Sequence, residues 1–441
     1  MSRTARLLFV LLSLPLTASA QEKMPFRAPD ALLGTADTVI VVGNTSTHAY
    51  VILNEMTLRA GVPVTLEALY FDRNRIYSLG LFTRVDILFD TLSTPRILLV
   101  DVNERWHIIP LPVFGFREGD IKKPYYGAGV LHNNLRGRNQ KLLFLLVFGY
   151  DPSAALSFHD PLFDHENRLS FSASLSYSRV RNRSVSQSTT TGDFTEQHYG
   201  VSLSLGKRFS LYTSAAMSAG VSGVHIDQYR VGRTASPDGT DIYIHAAVNG
   251  GYDTRDLGEY PSRGMSAGFS ISKLGFGESH VNFARFSADL RRYIPLPADV
   301  VFATRVHTTL TAGGFVPSYA YQYFGYGERI KGYYNDVFEG ENILGGTVEF
   351  RWPLFPARVF RVRGLPVPEE FSVWRFGVSL AVFANAGTVW YRGEPVGLKS
   401  FSSGYGGGVH FLLPYGAVVR LEGALNDRGR AEFILDLRAA L

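Results

Sequence analysis

Apolar and polar side chains alternate with a period of two along most of the chain after Trp106. Residues 168–178 alternate apolar side chains with serines, and residues 199–206 and 432–438 repeat the alternation. Successive side chains of a strand point to opposite faces, so each segment is predicted to be a strand with one apolar face. A soluble β-sandwich would also alternate, but repetition over so long a stretch is typical of a transmembrane β-barrel.

The barrel stretch runs from residue 106 to residue 441. At roughly 20 residues per strand and connection it holds about 16 strands, and bacterial barrels usually close with an even number. We therefore expect an all-β antiparallel transmembrane barrel of 16 strands. The long Ser/Thr-rich segment 181–197 is typical of an extracellular loop, whereas the short segments 151–153 and 206–208 are interpreted as periplasmic turns.

A different pattern occupies residues 37–104, which we call the α+β unit. Apolar residues at strand and helix spacing predict a β-α-α-β-β order, with Thr47 as a helix N-cap and Gly80 at a left-handed helix end. The predicted elements are a strand at 38–42, a helix after Thr47 that includes residues 50–56, a second helix from about residue 65 to residue 79, and strands at 82–89 and 97–102. Residues 21–36 are predicted to form a short flexible lead.

Residues 1–20 have the pattern of a secretory signal peptide. Arg3 and Arg6 precede an apolar run at residues 7–16, and the small residues 18–20 fit a cleavage site before Gln21. The apolar run is too short to span a membrane, and no later run reaches the ~20 apolar residues that a transmembrane helix needs. The chain has no cysteine, which excludes a disulfide-stapled secreted domain.

Charge and candidate chemistry exclude several other functions. The formal net charge of +5 falls by two to +3 without Arg3 and Arg6, too small an excess to predict a nucleic-acid interface. The eleven histidines show no metal-ligand spacing. Residues 264–268 match the Gly-x-Ser-x-Gly pattern of esterases but lie in a predicted strand, without the strand–turn–helix that the nucleophile requires. We therefore predict no enzyme activity, catalytic residue, metal or cofactor.

Two charged motifs interrupt the barrel pattern. The first joins residues 252–256, Tyr-Asp-Thr-Arg-Asp, to a turn at residues 260–264, and the second is Ile330-Lys331-Gly332-Tyr333. Together with the single α+β unit, which resembles one POTRA domain, they resemble the Omp85 superfamily, whose barrels insert or translocate polypeptides at bacterial outer membranes. The first motif matches the family's Asp-Thr-Arg-Asp … Pro-x-x-Gly strand turn at Asp253, Thr254, Arg255, Asp256, Pro261 and Gly264.

The second motif resembles the Val-Arg-Gly-Phe/Tyr tip of a long loop in that family. The family's tip folds back into the barrel lumen and docks on the inner wall, and the resemblance implies the same for this tetrapeptide. Lys331 stands where the family has arginine. The family's inner-wall motif, Phe-x-Asp-x-Gly, is matched at residues 383–387, with Asn385 at the acidic position and Gly387 at the end.

These two departures change the expected docking contact. A lysine is a point donor rather than a planar fork, and an asparagine oxygen can accept one of its hydrogen bonds. Glu349 is a second candidate, because it alternates with the apolar Val348 and Phe350 and so falls on the luminal face. We predict that Lys331 docks against Asn385, Glu349 or both.

The resemblance also implies a function and a location. It places the barrel in the bacterial outer membrane and the α+β unit in the periplasm, where a sheet edge would bind an unfolded client by β-augmentation. The implied partners are outer-membrane lipids, unfolded outer-membrane or secreted polypeptides, and candidate periplasmic or lipoprotein partners, with no nucleic acid. The residues assigned to the client-binding edge are Phe82, Val85, Ile87 and Phe89.

Three alternatives to an insertion role are considered, of which a lipase-fused member of the family is disfavoured because the sequence shows no lipase domain. A two-partner-secretion translocation pore would share the barrel, although such transporters usually have two POTRA domains and an N-terminal plug helix. A passive outer-membrane channel would need no receptor, so residues 37–104 count against it.

Overall fold

The computed structural model describes residues 32–116, 121–182, 184–187, 194–227, 229–277, 280–361, 373–413 and 416–439. The predicted signal segment, residues 1–20, lies outside the described residues. Two bodies follow one another along the chain: the α+β unit, and a 16-stranded antiparallel sheet that forms the barrel. The predicted fold class and the predicted strand number are therefore confirmed.

The α+β unit packs two helices against a three-stranded sheet. Its elements are β1 (Leu32–Thr35), β2 (Thr38–Val42), α1 (Ala49–Leu53), β3 (Pro63–Thr65), α2 (Leu66–Ser78), β4 (Phe82–Asp90) and β5 (Ile97–Glu104). In the sheet β5 is central, parallel to β2 and antiparallel to β4. The short β1–β3 ladder was not predicted, because residues 32–35 were assigned to the flexible lead. None of the described helices is long and apolar enough to cross a membrane.

Local chemistry fixes the ends and the position of α2. The helix begins after Thr65, whose Oγ1 accepts a hydrogen bond from Ala68 N at 3.2 Å, and Gly80 adopts the predicted left-handed conformation at φ +72°. On the buried side of the helix, Asp72 accepts hydrogen bonds from Thr57 N and Leu58 N, each at 2.8 Å. Burial raises the pKa of the Asp72 carboxyl. Asp72 therefore ties the segment after α1 to α2.

The barrel strands pair with their neighbours in chain order, from β6 to β23. The first eleven are β6 (Ile108–Phe116), β7 (Pro124–Leu135), β8 (Gln140–Gly149), β9 (Ser153–Asp164), β10 (Leu169–Arg181), β11 (Thr195–Arg208), β12 (Thr213–Ile226), β13 (Thr240–Asp253), β14 (Gly264–Leu274), β15 (Phe283–Pro295) and β16 (Val301–Gly313). A hairpin of β17 (Gln322–Phe324) and β18 (Phe338–Gly340) then lies apart from the barrel sheet. The sheet continues with β19 (Asn342–Arg361), β20 (Val373–Trp390), β21 (Ser402–Leu412), β22 (Ala417–Asn426) and β23 (Ala431–Ala439).

The α+β unit sits at one end of the barrel, which we call the near end. Asn134 Nδ2, near the end of β7, donates to Thr47 Oγ1 at 2.9 Å, and Arg208 Nη2, at the end of β11, donates to Glu55 Oε2 at 2.8 Å. Three strands separate the connection at 151–153 from the one after β11, so the two lie at opposite ends. The prediction that 151–153 and 206–208 are both periplasmic turns was therefore wrong, because the shortness of a connection does not show at which end of the barrel it lies.

Removal of the Asp72 carboxylate should loosen the α+β unit and leave the barrel intact. In Asp72→Ala the main-chain donors of Thr57 and Leu58 lose their acceptor, and such unpaired buried groups cost about 1–3 kcal/mol each. We expect faster amide hydrogen exchange in α2 and the segment before β3, with unchanged exchange in β10–β14. The exposed carboxylate variant Asp90→Ala is the control, and equal protection of α2 in both variants would contradict the role of Asp72.

Candidate functional site

The connection between β16 and β19, residues 314–341, is a long loop that we call the lumen loop. Its Tyr319 hydroxyl donates to Asp241 Oδ2 of β13 at 2.8 Å, while Lys331 reaches Glu422 of β22. These two strands are seven apart in a sheet of 16, so the loop crosses the interior of the barrel. Ile330 and Tyr333, on either side of the tip, are buried.

The tip fits against the wall because the wall has glycines at the contact. A side chain at Gly387 would lie 2.4 Å from the Phe324 ring and 3.1 Å from Ile330, and one at Gly404 would lie 2.0 Å from the Lys331 carbonyl oxygen. Gly332 has a φ of +95°, which a residue with a side chain rarely adopts. The glycines thus allow the close approach of two backbones.

Lys331 makes the central polar contact of the tip. Its ammonium lies 2.7 Å from Glu422 Oε1 and 3.6 Å from Glu349 Oε2, and 3.8 Å above the Phe383 ring. Glu349 also receives a hydrogen bond from Arg351 Nε at 2.5 Å. Two carboxylates therefore face two cations in a protected part of the lumen. Removing one charged side chain from such a set destabilises the protein, because it leaves a buried charge without its partner.

Hydrogen bonds extend this cluster towards the near end. Glu422 Oε1 lies 3.0 Å from His410 Nε2, and His410 Nδ1 lies 3.0 Å from the Tyr260 hydroxyl. Tyr260 belongs to the turn after β13, and Arg351 donates to the carbonyl of Pro261 in the same turn at 3.3 Å. The tip of the lumen loop and the turn of the strand-turn motif are thus connected by a chain of hydrogen bonds between side chains inside the barrel.

The tip also contacts the last two strands of the sheet. Asn426 Nδ2 donates to the Gly332 carbonyl at 2.9 Å, and the Tyr333 hydroxyl donates to Asp427. Tyr334 N donates to Glu432 Oε2 of β23 at 2.8 Å. The lumen loop therefore connects β22 and β23 to the interior of the barrel.

The structure changes the predicted partner of Lys331. Glu349 lies within reach, but the shorter contact is to Glu422, and among the described residues neither Asn385 side-chain polar atom has a hydrogen-bond partner. The prediction from sequence missed Glu422. A signal was present, since Arg420, Glu422 and Asn426 alternate with apolar residues in β22 and so share the luminal face.

The strand-turn motif satisfies most of its own polar groups. Arg255 pairs with Asp253, with Nη2–Oδ2 at 2.6 Å and Nε–Oδ1 at 2.9 Å. Asp256 accepts from Ser262 N at 2.9 Å and Arg263 N at 3.2 Å, which closes the turn. Thr254 Oγ1 accepts from Met265 N at 3.0 Å. At the adjoining Gly264, with φ +99°, a side chain would lie 2.2 Å from the Thr254 carbonyl oxygen. These contacts shape the connection between β13 and β14.

The same turn contacts the α+β unit. Arg263 Nη1 lies 2.9 Å from Glu67 Oε1 of α2, and Gly258 N donates to Ser78 Oγ at 3.3 Å. Nearby, Glu55 also accepts from Arg75 Nη2 at 2.7 Å in addition to Arg208. Charged contacts at several barrel turns thus seat the unit on the near end.

The predicted client-binding strand, β4, is an edge of the three-stranded sheet. The four side chains assigned to it do not face outward: Phe82 and Val85 are buried, and Ile87 and Phe89 pack against the same core. Leu88 is the apolar side chain of β4 that points outward, at 58% exposure. A client could therefore pair with the β4 main chain but would contact Leu88 rather than those four side chains.

One group of side chains has the composition of a metal site. Glu349, His410 and Glu422 are buried, with one ligand atom each within 4.8 Å of the others. Lys331 and Arg351 already supply two positive charges to the two carboxylates. A bound metal ion would have to displace Lys331, so we assign no metal to this cluster.

Comparison with known proteins identifies relatives of the barrel. The Omp85 superfamily domain matches residues 134–425, which is most of the chain. The fold is similar to BamA from Haemophilus ducreyi lacking POTRA domains 1–3, with a TM-score of 0.53, 16% identity, and coverage of 92% of this chain and 83% of that chain. It is also similar to CdiB from Escherichia coli, with a TM-score of 0.56, 12% identity, and coverage of 92% and 75%. No curated protein sequence matches the chain.

Loss of the Glu422 charge should undock the tip of the lumen loop. Hydrogen bonds to charged groups contribute about 1.5–3 kcal/mol, so Glu422→Gln should raise the population of the undocked loop about tenfold or more. Trypsin cleavage after Arg329 and Lys331 follows that population when cleavage is slow. We expect faster cleavage at these two sites in Glu422→Gln and no change in Asn385→Ala. Equal rates in the two variants would contradict the assignment of Glu422 as the anchor.

Proposed function

Because the chain belongs to the Omp85 superfamily of bacterial outer-membrane barrels, we propose that it inserts unfolded polypeptides into the outer membrane. The near end then faces the periplasm, and the α+β unit is the receptor. The observation that supports this role best is the edge of the barrel sheet. Among the described residues no ladder joins β6 to β23, whereas each of the other strands of the sheet has two neighbours.

The first step is capture of the client by the α+β unit. An edge strand has unpaired main-chain donors and acceptors that an extended polypeptide can use without any demand on its sequence. We assign this step to β4, whose partner in the unit is β5. β4 lies next to barrel strand β20, so a client captured at β4 would begin close to the near end of the barrel.

The second step takes place at the seam between β6 and β23. The docked tip of the lumen loop holds β22 through Lys331 and Asn426 and β23 through Glu432. Docking therefore keeps the last strands ordered while their outer edge stays available to a client strand. A strand in hydrocarbon must find partners for its main chain, and an available barrel edge would supply them.

The third feature is a connection between receptor and loop. Arg263 joins the turn after β13 to the α+β unit, and Tyr260 of the same turn reaches Glu422 through His410. We propose that movement of the α+β unit on client binding alters loop docking through this turn. A ligand can shift such an equilibrium only by its differential affinity for the two states.

Translocation across the membrane is the second candidate function. The similarity in fold to CdiB keeps it open, but that similarity concerns the fold alone. A passive channel is less well supported, because the lumen loop crosses the interior and the α+β unit is bound to the near end.

Insertion can be measured directly in liposomes that contain the full mature chain. We expect an added unfolded outer-membrane barrel to become protease-protected several-fold faster than in empty liposomes. Glu422→Gln should slow this at least about threefold because the last strands lose their anchor, whereas Asn385→Ala should not. Steady ion conductance without any acceleration would overturn the insertion role and favour the channel. Client recovered inside the liposomes instead of in the bilayer would favour translocation.

The receptor edge can be tested with single cysteines, because the natural chain has none. Leu88 on β4 and Ile40 on β2 both pair with Leu99 of β5, so they lie on the same face of the sheet but on its two opposite edge strands. They are 58% and 40% exposed. With benzophenone attached to Leu88→Cys, ultraviolet light should cross-link an unfolded client efficiently. The same label on Ile40→Cys should give little product. Equal or reversed yields would show that the client does not use β4.

A further inference from the structure

The hairpin of β19 and β20 is longer than the strands on either side of it. On one side β16 begins at Val301, opposite Arg351, yet β19 continues to Arg361. On the other side the ladder between β20 and β21 ends where Gly377 pairs with Leu412, yet β20 begins at Val373. Within the described residues, the part of the hairpin after Arg351 in β19 and before Gly377 in β20 therefore projects beyond the near end of the barrel. There its two strands pair only with each other.

The projecting part is bent and protected against strand addition. Its register shifts between Pro353 and Phe355 and again between Phe355 and Arg358. Bulges of this kind bend a strand and increase its twist. Pro353 and Pro356 offer no main-chain donor, and proline on an edge discourages pairing with another strand. A client strand is therefore not the natural partner of this edge.

The two faces of the projecting hairpin differ in character. The inner face continues the lumen: Ser379 is buried, and Arg375 Nη1 donates to Glu259 at 2.6 Å. The outer face continues the lipid-facing row of Val348 and Phe350. We call the part of it beyond the ladders to β16 and β21 the outer hairpin face, and its members are Trp352, Leu354, Phe355 and Phe376.

The outer hairpin face has the composition of a membrane interface. Leu354 is 60% exposed, the Phe355 and Phe376 rings are 6.2 Å apart, and the Arg358 guanidinium lies 5.7 Å from the Phe355 ring. Aromatic residues are enriched at the headgroup level of membranes, and arginine can lay its stem on apolar surface while its charge reaches a phosphate. In water this apolar surface would be exposed, and exposed apolar patches of this kind mark sites that bind a partner or a membrane.

We propose that the outer hairpin face binds phospholipids of the periplasmic leaflet. Its apolar residues enter the boundary of the leaflet, and Arg358 pairs with a lipid phosphate. The argument for lipid as the occupant is continuity, since Phe350, Trp352 and Phe355 follow one another on the same face of β19, from the barrel wall onto the hairpin. The hairpin would then fix how deeply the near end of β19–β20 sits in the membrane, independently of any client.

Fluorescence of single labelled cysteines can test this contact in the full chain. The environment-sensitive dye NBD is attached to Leu354→Cys, to Leu380→Cys as a lipid-wall reference, and to Leu92→Cys as a water reference. Leu380 is 40% exposed and Leu92 95% exposed. In phosphatidylethanolamine–phosphatidylglycerol liposomes, nitroxide-labelled phospholipid should quench the Leu354 label at least half as strongly as the Leu380 label. Quenching as weak as at Leu92 would overturn the proposal.

A second variant separates lipid from a protein cover. Arg358→Glu should reduce quenching of the Leu354 label by headgroup nitroxide at least twofold, while the Leu380 label stays unchanged. A label at Leu354 that is shielded from water yet not quenched by lipid nitroxide would mean that protein covers the face, and would also overturn the proposal.

Discussion

Main-chain hydrogen bonding is the constraint on which this structure depends. In hydrocarbon each main-chain donor and acceptor needs a partner inside the protein, and an antiparallel sheet of sequential hairpins supplies them strand by strand. The same solution leaves unpaired groups wherever a sheet has an edge. Such edges among the described residues include the β4 edge of the α+β unit, the seam between β6 and β23, and the projecting part of β19.

These three edges differ in whether prolines and bulges block the addition of another strand. The β19 edge has two prolines and two bulges, which discourage further pairing. The described part of β4 has neither device beyond an irregularity near Phe82, and β23 is held from inside by the lumen loop through Glu432. An edge that is ordered but not blocked can accept an incoming strand, whereas a blocked edge can only present its side chains.

Sequence periodicity was sufficient for the architecture but not for the site. Alternation in segments such as 199–206 predicted the barrel because the period of two acts on every strand in the same way. The strand number followed from the length of the barrel stretch at about 20 residues per strand and connection. The end of the barrel at which 151–153 lies depends on the parity of strands, which requires every strand to be identified. The β1–β3 ladder was missed because a four-residue strand gives almost no periodic signal.

The partner of Lys331 shows why a residue pair known from a family is a poor guide to the contact that this chain makes. The family resemblance directed attention to Asn385 on β20, but loss of the carboxylate there leaves an amide without a described partner, and the charge is met instead by Glu422 on β22. No local pattern links residues 331 and 422, since only the curvature of the sheet and the path of the lumen loop bring them together. The change has a structural consequence, because β22 pairs directly with β23. An anchor on β22 places the tip of the lumen loop one strand from the seam, so docking of the tip and order at the seam become parts of a single contact.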